Sequence, residues 1–239
     1  MGMNYHLLKS RNKTSEKVRI GGLMSGQTNW GNVPQWAYES VKALLETLKA
    51  VEPTTYEHCL RVGEYSRKLA RDMGLNEYEQ KLAQFAGMLH DIGKIGIDKE
   101  ILLKPGRLEP IEYDIMKNHP VMSETIVKPL AVHSFFSQIL PAIRAHHERI
   151  DGEGYPDKKI GSEIPMLARV ILIVDTFDAM GEDRAYRKGL PEEIIFAELK
   201  RCSGTQFDAD MVKIFLQAQP HWKNEFDQET YHSIIKKIA

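Results

Sequence analysis

Seven side chains of this 239-residue chain are of the types that bind divalent metals in hydrolytic sites. They are His58, His90, Asp91, His119, His146, His147 and Asp175. Six of them lie in the strings HDIGKIGI at 90–97, NHP at 118–120, HHERIDGEGYP at 146–156 and VDTFDAM at 174–180. Because five of the nine histidines belong to this set, the sequence predicts a metal site rather than scattered polar residues.

The ligand types narrow the choice of metal. Imidazole and carboxylate together favour iron, manganese, zinc, nickel or cobalt over calcium or magnesium. The set contains no cysteine, which argues against a closed structural zinc site. Taken singly, the residues have plainer interpretations: His58 as a core histidine, His119 as a loop residue, Asp175 as a cap or ion-pair partner. Together with Gly93 and Lys94, a shared metal site is the better interpretation.

His90 and Asp91 are adjacent, so the carboxylate can bridge two ions while the imidazole binds one. Two divalent ions with Asp91, Asp175 and a shared hydroxide would keep roughly one positive charge, which attracts a phosphodiester. A water shared by the ions loses its proton near neutral pH and can attack phosphorus. The set therefore favours hydrolysis of a phosphate ester.

The elements that must position these residues are helices. Residues 1–34 are interpreted as an arm or linker of unknown role, and helical periodicity begins at Gln35. Helices are predicted from 35 to Pro53, from Pro53 onward, from an Asn76 cap to His90, at 109–117, 121–128 and 134–149, from Pro165, and near 191–202, 208–218 and 225–238. Glycine-rich residues 151–163 are predicted as a loop, and no alternating strand pattern is present. The fold class is all-α.

Spacing also predicts where the ligands point. His58 shares one face of its helix with apolar residues, so it faces inward. His146 and His147 end the helix predicted at 134–149, where both rings can reach one cavity. Asp175 lies one turn beyond Ile171, on the helix that follows the loop.

Composition excludes several classes of partner. A formal net charge of −1 gives no overall attraction to a nucleic-acid polymer or a membrane, so neither is expected to bind. Cys59 and Cys202 are too few for a disulfide framework and are predicted to be reduced and buried. The longest aliphatic run, 170–174, is too short to span a bilayer, and a cytoplasmic location is expected.

The strings together resemble the HD-GYP domain, a branch of the HD phosphohydrolase superfamily. The resemblance covers about residues 37–218 and rests on HDIGKIGIDKEILLKPGRL, NHP, HHERIDGEGYPDKKIGSEIPMLARVILIVDTFDAM and DRAYRKGL. It implies an HD-type helical bundle over 35–239, with a metal centre in its core and a C-terminal helix. It also implies hydrolysis of the bacterial messenger cyclic di-GMP to linear pGpG, and often to GMP.

The resemblance assigns two metal sites. One would use His58, His90, Asp91 and Asp175, and the other Asp91, His119, His146 and His147, with Asp91 bridging. Two divalent ions are expected, iron first and manganese second, with zinc, nickel and cobalt left open.

Four further residues carry catalytic or substrate-binding roles by resemblance. Lys94 would approach a phosphate oxygen or the reactive solvent, and Tyr155 would orient substrate or solvent. Arg184 and Arg187 would clamp phosphates or stack on guanine. The alternatives are an exposed lysine, a loop tyrosine on a proline and solvated arginines. Asp178 is either an acceptor for a ligand histidine or a helix-end carboxylate.

Two departures from the family pattern stand out. Some relatives bind a third metal with a glutamate one turn before the first histidine, where this chain has Thr54. Glu57 points about 100° away on a helix, so two metals are predicted and the step from pGpG to GMP is expected to be weaker. Asp98 stands where the pattern prefers proline, beyond the ligands.

Three functions follow in order of expectation. The first is a cyclic di-GMP phosphodiesterase, and the second is a hydrolase of another nucleotide. The third is a receptor or docking module that binds the messenger, or a diguanylate cyclase or other signalling protein, without turnover. A complete ligand set argues against the third.

Overall fold

The computed structural model describes residues 35–183 and 188–222, so the arm at 1–34 and the helix predicted at 225–238 lie outside the described residues. The described residues form ten α-helices: α1 Gln35–Val51, α2 Pro53–Asp72, α3 Glu77–Leu89, α4 Lys99–Leu102, α5 Pro110–Met116, α6 His119–Val127, α7 Ser134–Ala145, α8 Met166–Gly181, α9 Glu192–Arg201 and α10 Ala209–Trp222. Short 3-10 helices cover Ile92–Gly96, Lys128–Val132 and Gly161–Glu163. None of these ranges is a strand, which confirms the all-α prediction.

Helix starts follow local chemistry. Pro53 is the first residue of α2, where its missing N–H costs nothing, and the Glu52 carboxylate accepts from the Thr54 N–H at 3.1 Å. Asn76 caps α3 as predicted. Its side chain accepts from the Glu79 N–H at 3.0 Å, and the Glu79 carboxylate accepts from the Asn76 N–H at 2.9 Å.

The core lies between α2, α3, α7 and α8, which pack against one another. α8 contributes Val170, Ile171 and Val174, all fully buried, as its periodicity predicted. Burying each such side chain contributes roughly 1.5–3 kcal/mol. No described helix is long and apolar enough to cross a bilayer.

Two glycines let α2 and α3 approach closely. A Cβ atom on Gly87 would lie 2.9 Å from the Cα of Gly63, and one on Gly63 would lie 2.6 Å from the Cγ of Met88. Any larger side chain would therefore push the helices apart. This contact sets the distance between His58 on α2 and His90 at the end of α3.

A third glycine positions α6. A Cβ atom on Gly93 would lie 2.1 Å from the carbonyl oxygen of His119 and 2.5 Å from the backbone nitrogen of Ser123. The Gly93 N–H donates to the Ser123 hydroxyl at 2.8 Å. The turn after Asp91 thus lies directly against the start of α6.

Two predicted boundaries were wrong. His119 does not lie between helices, because it is the first residue of α6, where Pro120 suits the first turn. The helix predicted at 134–149 ends at Ala145, with His146 as its C-cap and His147 beyond it. The Glu148 N–H bonds to the Ala145 carbonyl at 2.9 Å in a tight turn, which ends the α-helical pattern.

Candidate metal centre

The seven proposed ligands come from five helix segments and converge in the core. α2 carries His58 and α8 carries Asp175, while the others lie at helix ends. His90 caps α3, Asp91 precedes the 3-10 helix, His119 begins α6, and His146 and His147 follow α7. Helix ends suit this role because the backbone there can aim adjacent side chains in different directions.

The ligand atoms form two groups, each with atoms within 4.8 Å of one another. One group is Asp91, His119, His146 and His147, and the other is His58, His90 and Asp175. These are the two sets implied by the resemblance, with Asp91 in the first group.

The carboxylate of Asp91 lies between the two groups. Its Oδ1 is 3.0 Å from the Nε2 of His119 and 3.9 Å from that of His146. Its Oδ2 is 3.3 Å from the Nε2 of His90 and 3.8 Å from that of His58. Because each oxygen faces a different group, this side chain has the geometry of a bridging ligand.

Three of the histidines are held in the same tautomer by the same type of hydrogen bond to the backbone. The Nδ1 atoms of His90, His119 and His146 lie 2.7, 2.8 and 2.7 Å from the carbonyl oxygens three residues earlier. A carbonyl oxygen only accepts, so each Nδ1 carries the hydrogen. In the neutral ring, the lone pair on Nε2 then points into the cluster.

These lone pairs face one another, and whether a metal ion fits between them depends on what else they could bond to. The Nε2 atoms of His119 and His146 are 3.1 Å apart, and neither carries a hydrogen in this tautomer. The Nε2 of His90 and the Oδ1 of Asp91 are buried without a hydrogen-bond partner among the described residues. Buried acceptors are costly when unpaired, and a cation between them would satisfy all of them. The residues therefore fit divalent metal ions.

His58 is held by a chain of charged groups. Its Nδ1 lies 2.7 Å from the Oδ2 of Asp178, so Asp178 is the acceptor for a ligand histidine. Arg61 donates two bonds to Asp178, at 2.7 and 2.9 Å, and one to Glu182 at 2.7 Å. Arg61 was not predicted, although its position one turn after His58, on the same face of the helix, indicated that the two side chains lie close together.

Burial and neighbouring charges set the protonation of the histidines. Burial acts to lower the pKa of His58, but hydrogen bonds with Asp175 and Asp178 outweigh it and raise that pKa to about 10. Burial, with His119 nearby, lowers the pKa of His147 to about 3. Burial and the adjacent His147 hold the pKa of His146 well below its usual range. His146 and His147 are therefore neutral at physiological pH, as metal ligands must be.

Lys94 and Tyr155 lie beside this cluster. The Lys94 ammonium is 2.5 Å from the Oδ2 of Asp91. Burial acts to raise the pKa of Asp91, but His90 and Lys94 outweigh it and hold that pKa well below its usual range. The Tyr155 ring stacks on the His147 ring, with centroids 4.8 Å apart. Burial raises the pKa of the Tyr155 hydroxyl, which stays protonated.

A buried acid holds the loop that carries Tyr155. The Glu148 carboxylate accepts from the Asp157 N–H at 2.6 Å and from the Lys159 N–H at 3.0 Å. Glu148 is 1% exposed, so this bond pair ties the loop to the residue next to His147. The motif HHERIDGEGYP by itself predicted no role for this glutamate.

Two cavities lie beside the cluster and share part of their lining. One, of about 490 Å³, lies beside His147 and Tyr155, and the other, of about 460 Å³, lies beside His58 and Thr54. Asp175 and Ala179 line both. Arg184 and Arg187, predicted to clamp the substrate, lie outside the described residues.

The HD domain profile matches residues 42–211, and the described part of that range holds all seven proposed ligands. The chain belongs to the HD domain family. HD domain phosphohydrolases use divalent metals, which agrees with the donor set described above. The HD-GYP resemblance is confirmed by this match together with the curated relatives described next.

The HD domain is shared with curated bacterial proteins. A cyclic di-GMP phosphodiesterase of Thermotoga maritima is 39% identical over 75% of this chain and 50% of the relative. A 3'3'-cGAMP-specific phosphodiesterase of Vibrio cholerae is 36% identical over 77% of this chain and 34% of the relative. The chain thus spans half or less of the length of these two relatives.

Solved structures agree on the fold. A cyclic GMP-AMP specific phosphodiesterase of V. cholerae superimposes with a TM-score of 0.61 at 18% identity, covering 83% of this chain and 53% of that one. The HD domain of an L. monocytogenes phosphodiesterase gives 0.55 at 20% identity, covering 76% of this chain and 97% of that one. At these identities the likeness establishes the HD fold alone.

Proposed function

We propose that this chain hydrolyses cyclic di-GMP to linear pGpG, with a weaker further step to GMP, at a centre of two divalent metal ions. The observation that carries the proposal is the buried Asp91 carboxylate, whose two oxygens face two separate groups of ligand atoms. Support comes from the Thermotoga maritima relative, which is named for this activity.

The donor set assigns the metals. Asp91, His119, His146 and His147 would hold one ion, and His58, His90 and Asp175 would hold the other with Asp91 shared. Iron is our first choice and manganese the second, while zinc, nickel and cobalt also suit imidazole and carboxylate ligands. Bound divalent ions stabilise charge on phosphoryl oxygens and make a bound water more acidic.

The proposed number of metal ions follows from the Arg61 guanidinium, which already places a positive charge near His58. Asp178 and Glu182 lie close enough to His58 to form a further ligand group, but both carboxylates pair with the Arg61 guanidinium. With Thr54 in place of a carboxylate, this supports two ions rather than three.

The chain's own residues bind and orient the substrate. The Lys94 ammonium, next to Asp91, is placed to bind a non-bridging phosphate oxygen as a point charge. The Tyr155 hydroxyl, which stays protonated, donates a hydrogen bond to the substrate or to the attacking water. Arg184 and Arg187 are predicted to clamp the phosphates or to stack on guanine. Glu148 holds the loop that carries Tyr155 beside the metal ligands.

The two cavities favour a substrate with two nucleotide units. Both are lined by Asp175 and Ala179, so a phosphodiester held there can extend one nucleotide into each. Each cavity lies within the range of about 300–1,000 Å³ that is usual for small-ligand sites. A cyclic dinucleotide matches this shape better than a mononucleotide.

A second candidate substrate is cyclic GMP-AMP. The V. cholerae relative at 36% identity is named for that nucleotide, so family membership alone does not separate the two. Both reactions require the same metal centre and differ in the base that must be recognised.

A turnover assay tests the proposal. The chain, purified and loaded with Fe(II) or Mn(II) without oxygen, is incubated with cyclic di-GMP and with cyclic GMP-AMP, and the products are separated by chromatography. We expect pGpG from cyclic di-GMP at a rate that a chelator abolishes. Messenger that binds but is never cleaved would instead support a receptor.

Three further expectations from the sequence stay predictions. They are a cytoplasmic location, binding to a diguanylate cyclase or other signalling protein, and an arm at residues 1–34 that precedes an HD-GYP domain at 35–239.

A further inference from the structure

The cavity beside Tyr155 has the lining of a base-binding site. It encloses about 490 Å³ and is formed by α5, α8, the loop after His147 and the turn before α10. His147 and Asp175 form its inner wall, so a nucleotide bound at the metal cluster can reach it. We call it the base pocket.

An ion-pair network fixes the amide of Gln206 in the base pocket. The Arg149 guanidinium donates to the Gln206 Oε1 at 3.0 Å, and its other nitrogens donate to Asp151 at 2.9 and 2.6 Å. A guanidinium only donates, so the amide oxygen must face Arg149. The NH2 group is therefore the donor that Gln206 can offer to the base pocket, although this residue also lines a neighbouring cavity beside Leu190.

The remaining lining complements a purine. Tyr113 and Tyr155 supply aromatic surface, and the Tyr113 ring is half exposed at the mouth. Nucleic-acid bases stack on such rings whatever their identity. Glu153 adds an exposed carboxylate, which can only accept hydrogen bonds when ionised.

Resting on the proposed function, we infer that the base pocket binds guanine and selects it over adenine. Guanine presents the O6 and N7 acceptors on one edge and N1–H and N2–H donors next to O6. The Gln206 NH2 group donates to O6, and the Glu153 carboxylate accepts from N1–H and N2–H. In the same orientation, adenine would turn its N6 amine towards the Gln206 NH2 group and its N1 lone pair towards the Glu153 carboxylate, so neither hydrogen bond could form.

Gln206→Glu is the sharpest test, because one carboxylate oxygen still accepts from Arg149 while the donor facing the cavity becomes an acceptor. We expect the preference for GMP over AMP, measured by titration calorimetry on the metal-loaded chain, to fall about tenfold for the loss of one hydrogen bond. Glu153→Gln, at an exposed site, should lower the same ratio. Gln138→Glu, an exposed glutamine on α7, makes the same charge change away from the pocket and should leave the ratio unaltered.

Turnover provides a second readout. In Gln206→Glu and Glu153→Gln, the ratio of kcat/KM for cyclic di-GMP to that for cyclic di-AMP should fall through KM, with metal content equal to that of the parent. Ratios within about twofold of the parent in both assays would overturn the guanine assignment. A parent chain that prefers GMP in binding but cleaves no cyclic dinucleotide would sink the proposed function and leave the base pocket standing.

Discussion

The Nδ1 atom of His58 lies 2.7 Å from a carboxylate oxygen of Asp178, one turn beyond the proposed ligand Asp175 on α8. Arg61 holds the same carboxylate with two hydrogen bonds. These hydrogen bonds orient the His58 ring so that its Nε2 lies 3.0 Å from Asp175. A ligand histidine oriented in this way binds metal more tightly than a free one.

Replacing Asp178 should weaken one metal site selectively. Asp178→Asn keeps an oxygen near His58 but removes the charge that polarises and orients the ring, so we expect metal affinity at that group to fall about 10–100-fold. Competition with a chelator, followed by elemental analysis, measures it. Asp210→Asn, at an exposed site on α10, is the matched control. Equal affinities in the two variants would remove Asp178 from the metal centre.

Replacing the shared carboxylate should affect both sites. In Asp91→Ala, both groups lose the oxygen that faces them, so both ions should bind weakly. Elemental analysis after gel filtration measures the stoichiometry, which we expect to fall from two towards none. If the variant kept two ions, the bridging assignment would be wrong.

The contact between Gly93 and α6 should be intolerant of a methyl group. Gly93→Ala places a Cβ atom 2.1 Å from the His119 carbonyl oxygen, so α6 must shift and carry His119 away from Asp91. We expect a loss of about 1–3 kcal/mol in the free energy of unfolding, measured with urea, together with weaker metal binding. Gly96→Ala is the control, since its Cβ would meet only the flexible Met122 side chain, at 3.0 Å.

An arginine outside the described residues carries a prediction from the sequence. Arg184→Ala should raise the KM for cyclic di-GMP while leaving metal content intact, because it removes a charged hydrogen bond of about 1–3 kcal/mol. Steady-state kinetics and elemental analysis separate the two effects. Arg201→Ala, at an exposed position on α9, controls for loss of charge. Unchanged KM would exclude Arg184 from the phosphate clamp.

Metal binding at the His58 group should release a proton. The pKa of His58 is raised to about 10, so below that pH the metal-free ring is protonated and an incoming ion must displace the proton. Apparent affinity should therefore rise about tenfold per pH unit between pH 6 and 8. His147, whose pKa is lowered to about 3, is already neutral and adds no such slope. Calorimetry in buffers of different ionisation enthalpy would count the protons, and pH-independent binding at both groups would contradict this account.

Local chemistry made much of the protein readable from its sequence. Helical periodicity, the Asn76 cap and Pro53 depend on residues close in the chain, so they predicted the all-α class and several helix starts. The seven proposed ligands were recognisable from residue type and motif. Helix ends were less accurate at His119 and His146, because a tertiary cluster of imidazoles competes there with the helical pattern.

Tertiary structure alone decided how these residues act together. That the two oxygens of Asp91 face different groups depends on α2, α6 and α7 meeting around it. Arg61 on Asp178, and Arg149 on Gln206, join residues 117 and 57 positions apart in the chain. No local pattern encodes such pairs, because their geometry arises only when α2 packs against α8 and the loop after His147 bonds to the turn before α10.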